Sequence, residues 1–484
     1  DYRGSGLGQL KAHEFNYYID NLSPIPPLDL LVAARAILIL GHTLILFLAF
    51  LYARQLIGFW PAVVGFLFIA FDPFHLALTR VLHLDGLLSN LVLLSVLAFS
   101  SYLNRRRWFD LLVSGLAAGA GWLTKSPALF LGPIVALLSL IFIFRELIKT
   151  KGVLPFFRKG WQAVQPVLLW FLIGVVLFVA IWPAMWKIPD ESVSAIFTKA
   201  ETYAEEGHRS PIFFNGEVIE SGQMGIEYFH FYPLTYLWRS TPIVLLGLLL
   251  ALLAGIKRWE PFNQKSVQVT LWGLLLIVCV YTFGMSLGAK KFDRYLLPIY
   301  PPLDIIAGIG WVAFANWLLV RLKNKFTSQL VVLLPALTLA GAITIQATGL
   351  LNTFPYYFSY YNPLMGGSQK AQQVMQIGWG EGLDEAGRYM NTKTSAAGLH
   401  VLSWYSPGCF SYFFKGDSRY LGFEGKPDRS YRDSFFASDY AVIYFHQWQR
   451  QMIPDWMLEY LSTRTPEYTV WINGIEYVRI YKID

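Results

Sequence analysis

The 484 residues are 55% hydrophobic, 17% aromatic and only 15% charged, with a formal net charge of +7 and a mean hydropathy of +0.42. So apolar a chain cannot be water-soluble throughout, and its Lys and Arg sit in short clusters between apolar runs rather than along one basic face, which excludes a nucleic-acid binder. The two cysteines, Cys279 and Cys409, exclude a disulfide framework and a four-cysteine zinc site.

The first residues, 1–28, read as the remnant of a polar extracytoplasmic loop, which predicts further sequence upstream of Asp1. A helix needs about 20 apolar residues to cross about 30 Å of hydrocarbon. Ten segments approach that length: 29–53, 59–78, 84–103, 108–124, 127–144, 163–183, 233–256, 267–288, 295–319 and 328–351. Only Lys125 and Ser126 separate the fourth from the fifth, which predicts a tight helical hairpin.

The basic clusters fall on alternate loops: Arg54; Arg105 to Arg107; Arg145 to Lys159; Lys257, Arg258 and Lys265; Arg321, Lys323 and Lys325. The positive-inside rule makes those loops cytoplasmic. The Lys125 turn, the long loop 184–232, the loop 289–294 and everything past 351 are then extracytoplasmic. Phe354 to Tyr361 (FPYYFSYY) forms an aromatic belt where the chain leaves the membrane. In 352–484 the periodicity changes. Helices are predicted near 383–392 and 447–463, and strands at 399–404, 439–445, 467–472 and 475–482, the last two flanking the hairpin signal Asn473-Gly474. The expected fold is mainly α: a polytopic helical bundle over 29–351 plus a small extracytoplasmic α/β domain.

Ionisable groups near hydrocarbon normally face a cavity or a partner. On the outer face these are Arg80, His83 and Asp85 in LTRVLHLDG, Lys125 in GWLTKSPA, Arg239 in YLWRSTP, and Lys290, Lys291, Asp293 and Arg294 in GAKKFDRYLLP. Four loops thus bring cations to one membrane depth, where the natural anion is a lipid phosphate. Each residue also has a plainer reading. Arg239 and Arg294 fit as snorkelling side chains, Arg80 with Asp85 as an ion pair between helices, and Lys125 as a solvated turn residue. His83 with Asp85 supplies two metal ligands, short of a site. Glu205, Glu206 and His208 fit a solvated surface, with His208, His83 and Arg239 also candidates for the pocket.

The stretches FDPFHLALTRVLHLDGLLSN (71–90), GLAAGAGWLTKSPAL (115–129), WPAMW (182–186), GAKKFDRYLLPIYPPLD (288–304), YYNPLMGGSQKA and GWGEGLDEAGRYMN (within 360–391) occur in order along the chain. In this set the chain resembles glycosyltransferase family 39, membrane enzymes of the GT-C fold that include protein O-mannosyltransferases and the aminoarabinose transferase of lipid A. The last two stretches resemble a bacterial subgroup with a C-terminal extracytoplasmic domain. The resemblance implies an inverting transferase in a bacterial plasma membrane. It would move a sugar from a polyprenyl-phosphate donor to a hydroxyl of a protein, lipid or glycan acceptor, with no tightly bound cofactor and with room for a divalent metal. It places Arg80, Lys125, Lys290, Lys291 and Arg294 at the donor phosphate. The family's acidic pair in the first outer loop, taken as the base, is absent: residues 1–28 hold only Asp1, Glu14 and Asp20 as acids. That base is expected upstream of Asp1, with Asp85 as a weaker substitute. The alternative is a secondary transporter, or a lipid-handling membrane protein without transferase activity; against the transporter stand the lack of paired halves and the clustering of charge at one face.

Overall fold

The computed structural model describes residues 27–148, 153–207, 210–220, 222–323, 328–421 and 429–483. The expected loop remnant therefore lies almost wholly outside the described residues, and His208 lies outside them too. The chain divides into two compact units, one of 37–205 with 225–352, the other built mainly of 353–484 with 206–224.

The larger unit is helical. Its helices are α1 (Pro27–Ile57), α2 (Phe59–Ala70), α3 (Pro73–Arg80), α4 (Leu84–Arg105), α5 (Trp108–Thr124), α6 (Leu131–Ile148), α7 (Val153–Ile181), α8 (Pro189–Glu206), α9 (Phe231–Arg239), α10 (Pro242–Lys257), α11 (Lys265–Leu287), α12 (Tyr300–Leu322) and α13 (Ser328–Leu351). Among the described residues seven helices are long and apolar enough to cross a membrane, or nine if each bent pair is one span.

All ten expected segments are helical, but two are broken. The pair α2 and α3 bends by 63°, and α9 and α10 by 112°. In each case a proline follows a capping side chain. Asp72 accepts from the backbone N–H of His75 ahead of Pro73, and Thr241 accepts from that of Val244 ahead of Pro242. Proline carries no N–H to continue the preceding helix and is favoured at a first helical position, so a cap plus proline starts a new helix in a new direction. The segment 108–124 is a helix of 17 residues, short for a perpendicular crossing.

Helix α4 is central, with 89% of its apolar window buried. Its Ser95 is satisfied by neighbouring helices: Ser95 Oγ donates to Ser114 O at 2.9 Å, and Trp170 Nε1 donates to Ser95 Oγ at 3.3 Å. On α5 the spacing Gly115-x-x-x-Gly119 brings backbones together. A Cβ on Gly119 would lie 2.5 Å from Gly174 O of α7, so only glycine permits this approach. The outward faces are apolar and exposed, as at Phe144, Leu172, Phe283 and Val332, which suits them to lipid.

The smaller unit carries a five-stranded sheet of order β4-β3-β5-β7-β6, where β3 is His400–Ser403, β4 Asp417–Tyr420, β5 Tyr440–Tyr444, β6 Tyr468–Ile472 and β7 Ile475–Lys482. Strand β3 runs parallel to both β4 and β5, and β7 antiparallel to β5 and β6. The Asn473-Gly474 turn is present, both residues at positive φ. Helices α14 (Leu383–Met390), α15 (Arg429–Phe436), α16 (Phe445–Gln449) and α17 (Asp455–Ser462) complete it, so the predicted helix at 447–463 is two helices divided near Pro454. The short β4 was not predicted, and neither was the hairpin β1 (Ile212–Phe214) and β2 (Glu217–Ile219). The architecture, a mainly α membrane bundle with a small C-terminal α/β domain, is the expected one.

Candidate functional site

The first turn of α4 holds the centre of the site. His83 caps this helix, its Nδ1 accepting from the Asp85 N–H at 3.3 Å. An acid in the first turn also faces the positive end of the helix dipole. Asp85 is 1% exposed. Its Oδ1 accepts from Lys125 Nζ at 2.5 Å, and its Oδ2 lies 3.0 Å from His83 Nδ1 and 3.6 Å from Arg294 Nε. Four of the expected residues, from three separate segments, thus meet around one carboxylate. Lys125 can reach it because the chain leaves α5 at Lys125 in an extended conformation before the tight turn Ser126–Phe130. With Lys125 and Arg294 beside it, Asp85 is suited to holding cations in place and poorly suited to accepting a proton.

Aromatic faces complete the cation cluster. Lys125 Nζ lies 4.5 Å from the centre of the Tyr295 ring, and the Arg294 guanidinium 4.2 Å from that of Phe292. Beside Lys125 opens a cavity of 440 Å³. Its walls are largely apolar, with Leu129, Phe130, Met285 and Leu287 among them, and Lys125, Lys290 and Tyr295 supply its polar groups.

The remaining expected residues are placed differently. Arg239 is 1% exposed and grips Asp293: its Nε and Nη2 donate to Oδ2 at 3.1 and 2.7 Å. Asp293 Oδ1 accepts from the Arg294 N–H at 2.8 Å, so Arg239 acts on the site through the backbone that carries Arg294. Lys291 is fully buried, and its Nζ donates to Ser286 O and Gly288 O at 2.7 Å each, closing the C-terminal end of α11. Arg80 ends α3 and is half-buried.

Burial pulls the Lys291 ammonium down to about 8, with Glu227 opposing the shift. Because the unfolded chain keeps that proton up to the ordinary lysine value, stability rises with pH between about 8 and about 10.5. The expected result is that Lys291→Met flattens this rise by on the order of 3 kcal/mol, read as the difference between the two proteins' melting curves in detergent across that window. Identical pH slopes would refute the assignment.

Some buried polar groups carried no sequence signal of their own. His75 Nε2 meets Asn90 Oδ1 at 3.0 Å, and Asn90 Nδ2 meets His42 Nδ1 at 3.0 Å, a chain of three side chains inside the bundle. Asp72 and Asp304 are each 1% exposed. His42, His75 and Asn90 lie 15 or more residues from their partners, and Asp72 reads only as the cap of α3, so spacing does not single them out. Tyr295 was also missed, although it adjoins Arg294 in a stretch already singled out. Among the described residues no group of three His, Cys, Asp or Glu converges.

Residues 29–182 match the sequence model of the family described as dolichyl-phosphate-mannose-protein mannosyltransferase. The resemblance to glycosyltransferase family 39 holds. No curated protein matches the chain. Among solved structures it is similar to ArnT from Cupriavidus metallidurans bound to undecaprenyl phosphate, at 14% identity and a TM-score of 0.44, over 96% of this chain and 86% of that one. The apo state of that ArnT gives 14% and 0.44 over 92% and 83%. The Archaeoglobus fulgidus oligosaccharyltransferase in complex with Zn and sulfate gives 11% and 0.38 over 90% and 58%. By its long apolar helices the chain is a multi-pass membrane protein, and its N-terminal third matches that mannosyltransferase family.

Proposed function

We propose that this protein is an inverting glycosyltransferase of the GT-C kind. It moves a sugar from a polyprenyl-phosphate donor to an acceptor hydroxyl at the extracytoplasmic face of a bacterial plasma membrane, the side on which the C-terminal domain lies. The observation that carries this reading is the apolar cavity with Lys125 and Lys290 on its lining, beside the Asp85 cluster that holds Arg294. Apolar walls suit isoprene units, and ammonium and guanidinium groups suit the phosphate as it takes up negative charge on leaving. The matched family's description, which names a dolichyl-phosphate-linked sugar, supports a lipid-phosphate donor.

In this reading Lys125, Lys290 and Arg294 bind the phosphate. Asp85 holds Lys125 and Arg294 in place, and Arg239 with Asp293 positions the backbone that carries Arg294. The proton of the acceptor hydroxyl then goes to a carboxylate other than Asp85. The chemistry requires no organic cofactor, and a divalent cation taking part would be carried in on the donor's phosphate. The acceptor is a protein, lipid or glycan hydroxyl.

Hydrogen bonds to charged groups contribute about 1.5–3 kcal/mol each, so Lys125→Met and Lys290→Met should each weaken binding of undecaprenyl phosphate about 10- to 100-fold. Titration of the detergent-solubilised protein, followed by intrinsic fluorescence, measures this. Unchanged affinity in both variants would remove the cavity from the mechanism. A secondary transporter is the second reading, favoured by Asp72, Asp304 and the His42–Asn90–His75 chain, since buried intramembrane polar groups often line ion paths. Proton-coupled uptake into vesicles, without affinity for undecaprenyl phosphate, would select it.

A further inference from the structure

The smaller unit contains a second constructed site that the transferase reading does not use. Its frame is the loop GWGEG, in which Gly378, Gly380 and Gly382 all have positive φ. Gly378 also admits no side chain, because a Cβ there would lie 2.5 Å from Tyr444 Oη. This backbone turns Glu381 back on itself. Its Oε2 accepts from the Trp379 N–H at 2.6 Å and from Tyr444 Oη at 2.9 Å, and Tyr444 Oη in turn accepts from the Gly380 N–H at 2.9 Å. One carboxylate oxygen is therefore fixed. The other, Oε1, makes no hydrogen bond among the described residues, on a side chain that is only half-buried.

Around Glu381 stands an aromatic cluster. Tyr405 is half-buried, and its ring packs edge-on against Tyr444 and His446, with centroids 5.7 Å away in each case. His446 is 2% exposed and crossed edge-on by Trp404 at 5.1 Å. Among the described residues neither of its ring nitrogens finds a hydrogen-bond partner at ordinary distance, and the polar group that it faces is the backbone of Gly378. Buried polar atoms in native proteins are normally satisfied, by water or ligand where not by protein.

The sheet topology independently marks the same place. From β3 the chain goes first to β4 on one side and later to β5 on the other, both parallel to β3. In parallel sheets ligands bind at the carboxyl ends of the strands where the order reverses. Tyr405 lies two residues past the end of β3, and His446 two past the end of β5.

We infer that the crevice formed by Glu381 and Tyr405, over His446, is a saccharide-binding site. A fixed carboxylate with one free oxygen accepts from sugar hydroxyls, and half-exposed aromatic rings cover the apolar face of a pyranose or furanose ring. A neutral, hydroxyl-rich ligand suits the site better than a cation, because the Arg450 guanidinium acts on both Tyr405 and His446 and offsets the carboxylate.

The site stands apart from the transferase reading, and its test is chosen accordingly. Saturation-transfer NMR of the full chain in detergent, with methyl glycosides of hexoses and pentoses at millimolar concentration, should give signal from at least one of them. Tyr405→Ala and Glu381→Ala should each raise its Kd at least 10-fold. Glu381→Gln, which keeps an acceptor oxygen, should fall between, while affinity for undecaprenyl phosphate stays as in the parent. Near-ultraviolet circular dichroism identifies a variant that has lost its fold, and Glu381→Gln then carries the test alone. No signal from any glycoside, equal signal in folded variants, or preference for tetramethylammonium over every glycoside overturns the inference.

Discussion

Asp85→Asn is expected to lower the stability of the membrane unit by roughly 3–5 kcal/mol and to abolish transfer. Removing one member of a buried ion pair leaves the other charge without compensation, which is the costly way to break such a contact. Here the asparagine would leave Lys125 and Arg294 facing each other across a site that is 1% exposed at its centre. The double variant Asp85→Asn with Lys125→Met should recover a large part of the stability and none of the activity, because it removes the stranded charge together with a group proposed to bind the phosphate. Thermal unfolding in detergent and transfer from a polyprenyl-phosphate sugar read the two effects separately. A single variant as stable as the parent would mean that water compensates the cations, and that the cluster is not held by Asp85.

The second large effect is expected at Asp293. Its Oδ2 accepts two hydrogen bonds from Arg239, and its Oδ1 holds the Arg294 N–H. Asp293→Ala should destabilise by about 3–5 kcal/mol, since Arg239, 1% exposed over the ring of Phe74, has no route to water. Arg239→Met with Asp293→Leu fills the space with apolar atoms and should restore most of the stability. If it also restored phosphate affinity, Arg294 would be placed by other contacts; affinity that stays low would fix Asp293 as a positioning residue.

Hydropathy and charge made the helices legible because lipid leaves a chain few alternatives: each of the ten apolar segments is helical. The breaks were not legible by that measure. An apolar window averages over Pro73 and Pro242, yet Asp72-Pro73 and Thr241-Pro242 are cap-and-proline signals that a local reading contains. In the site, residue type and membrane depth identified His83, Asp85, Lys125 and Arg294 as members of one group, but could not say that the carboxylate would be its centre. Depth alone also could not separate Lys125, which lines the cavity, from Lys291, which turns inward to two helix-end carbonyls. The C-terminal strands were found where β-branched and aromatic residues alternate. Strand β4, DSRY, is short and polar, and only its parallel pairing with β3 makes it a strand.

The close approach of α5 and α7 at Gly119 and Gly174 bears on how the protein measures the membrane. Two helices in backbone contact slide past one another only at high cost, so α5 serves as a strut of fixed length whose far end is Lys125. The ammonium is thereby set at one height relative to its helical neighbours, and a bilayer that thickens or thins must deform around it.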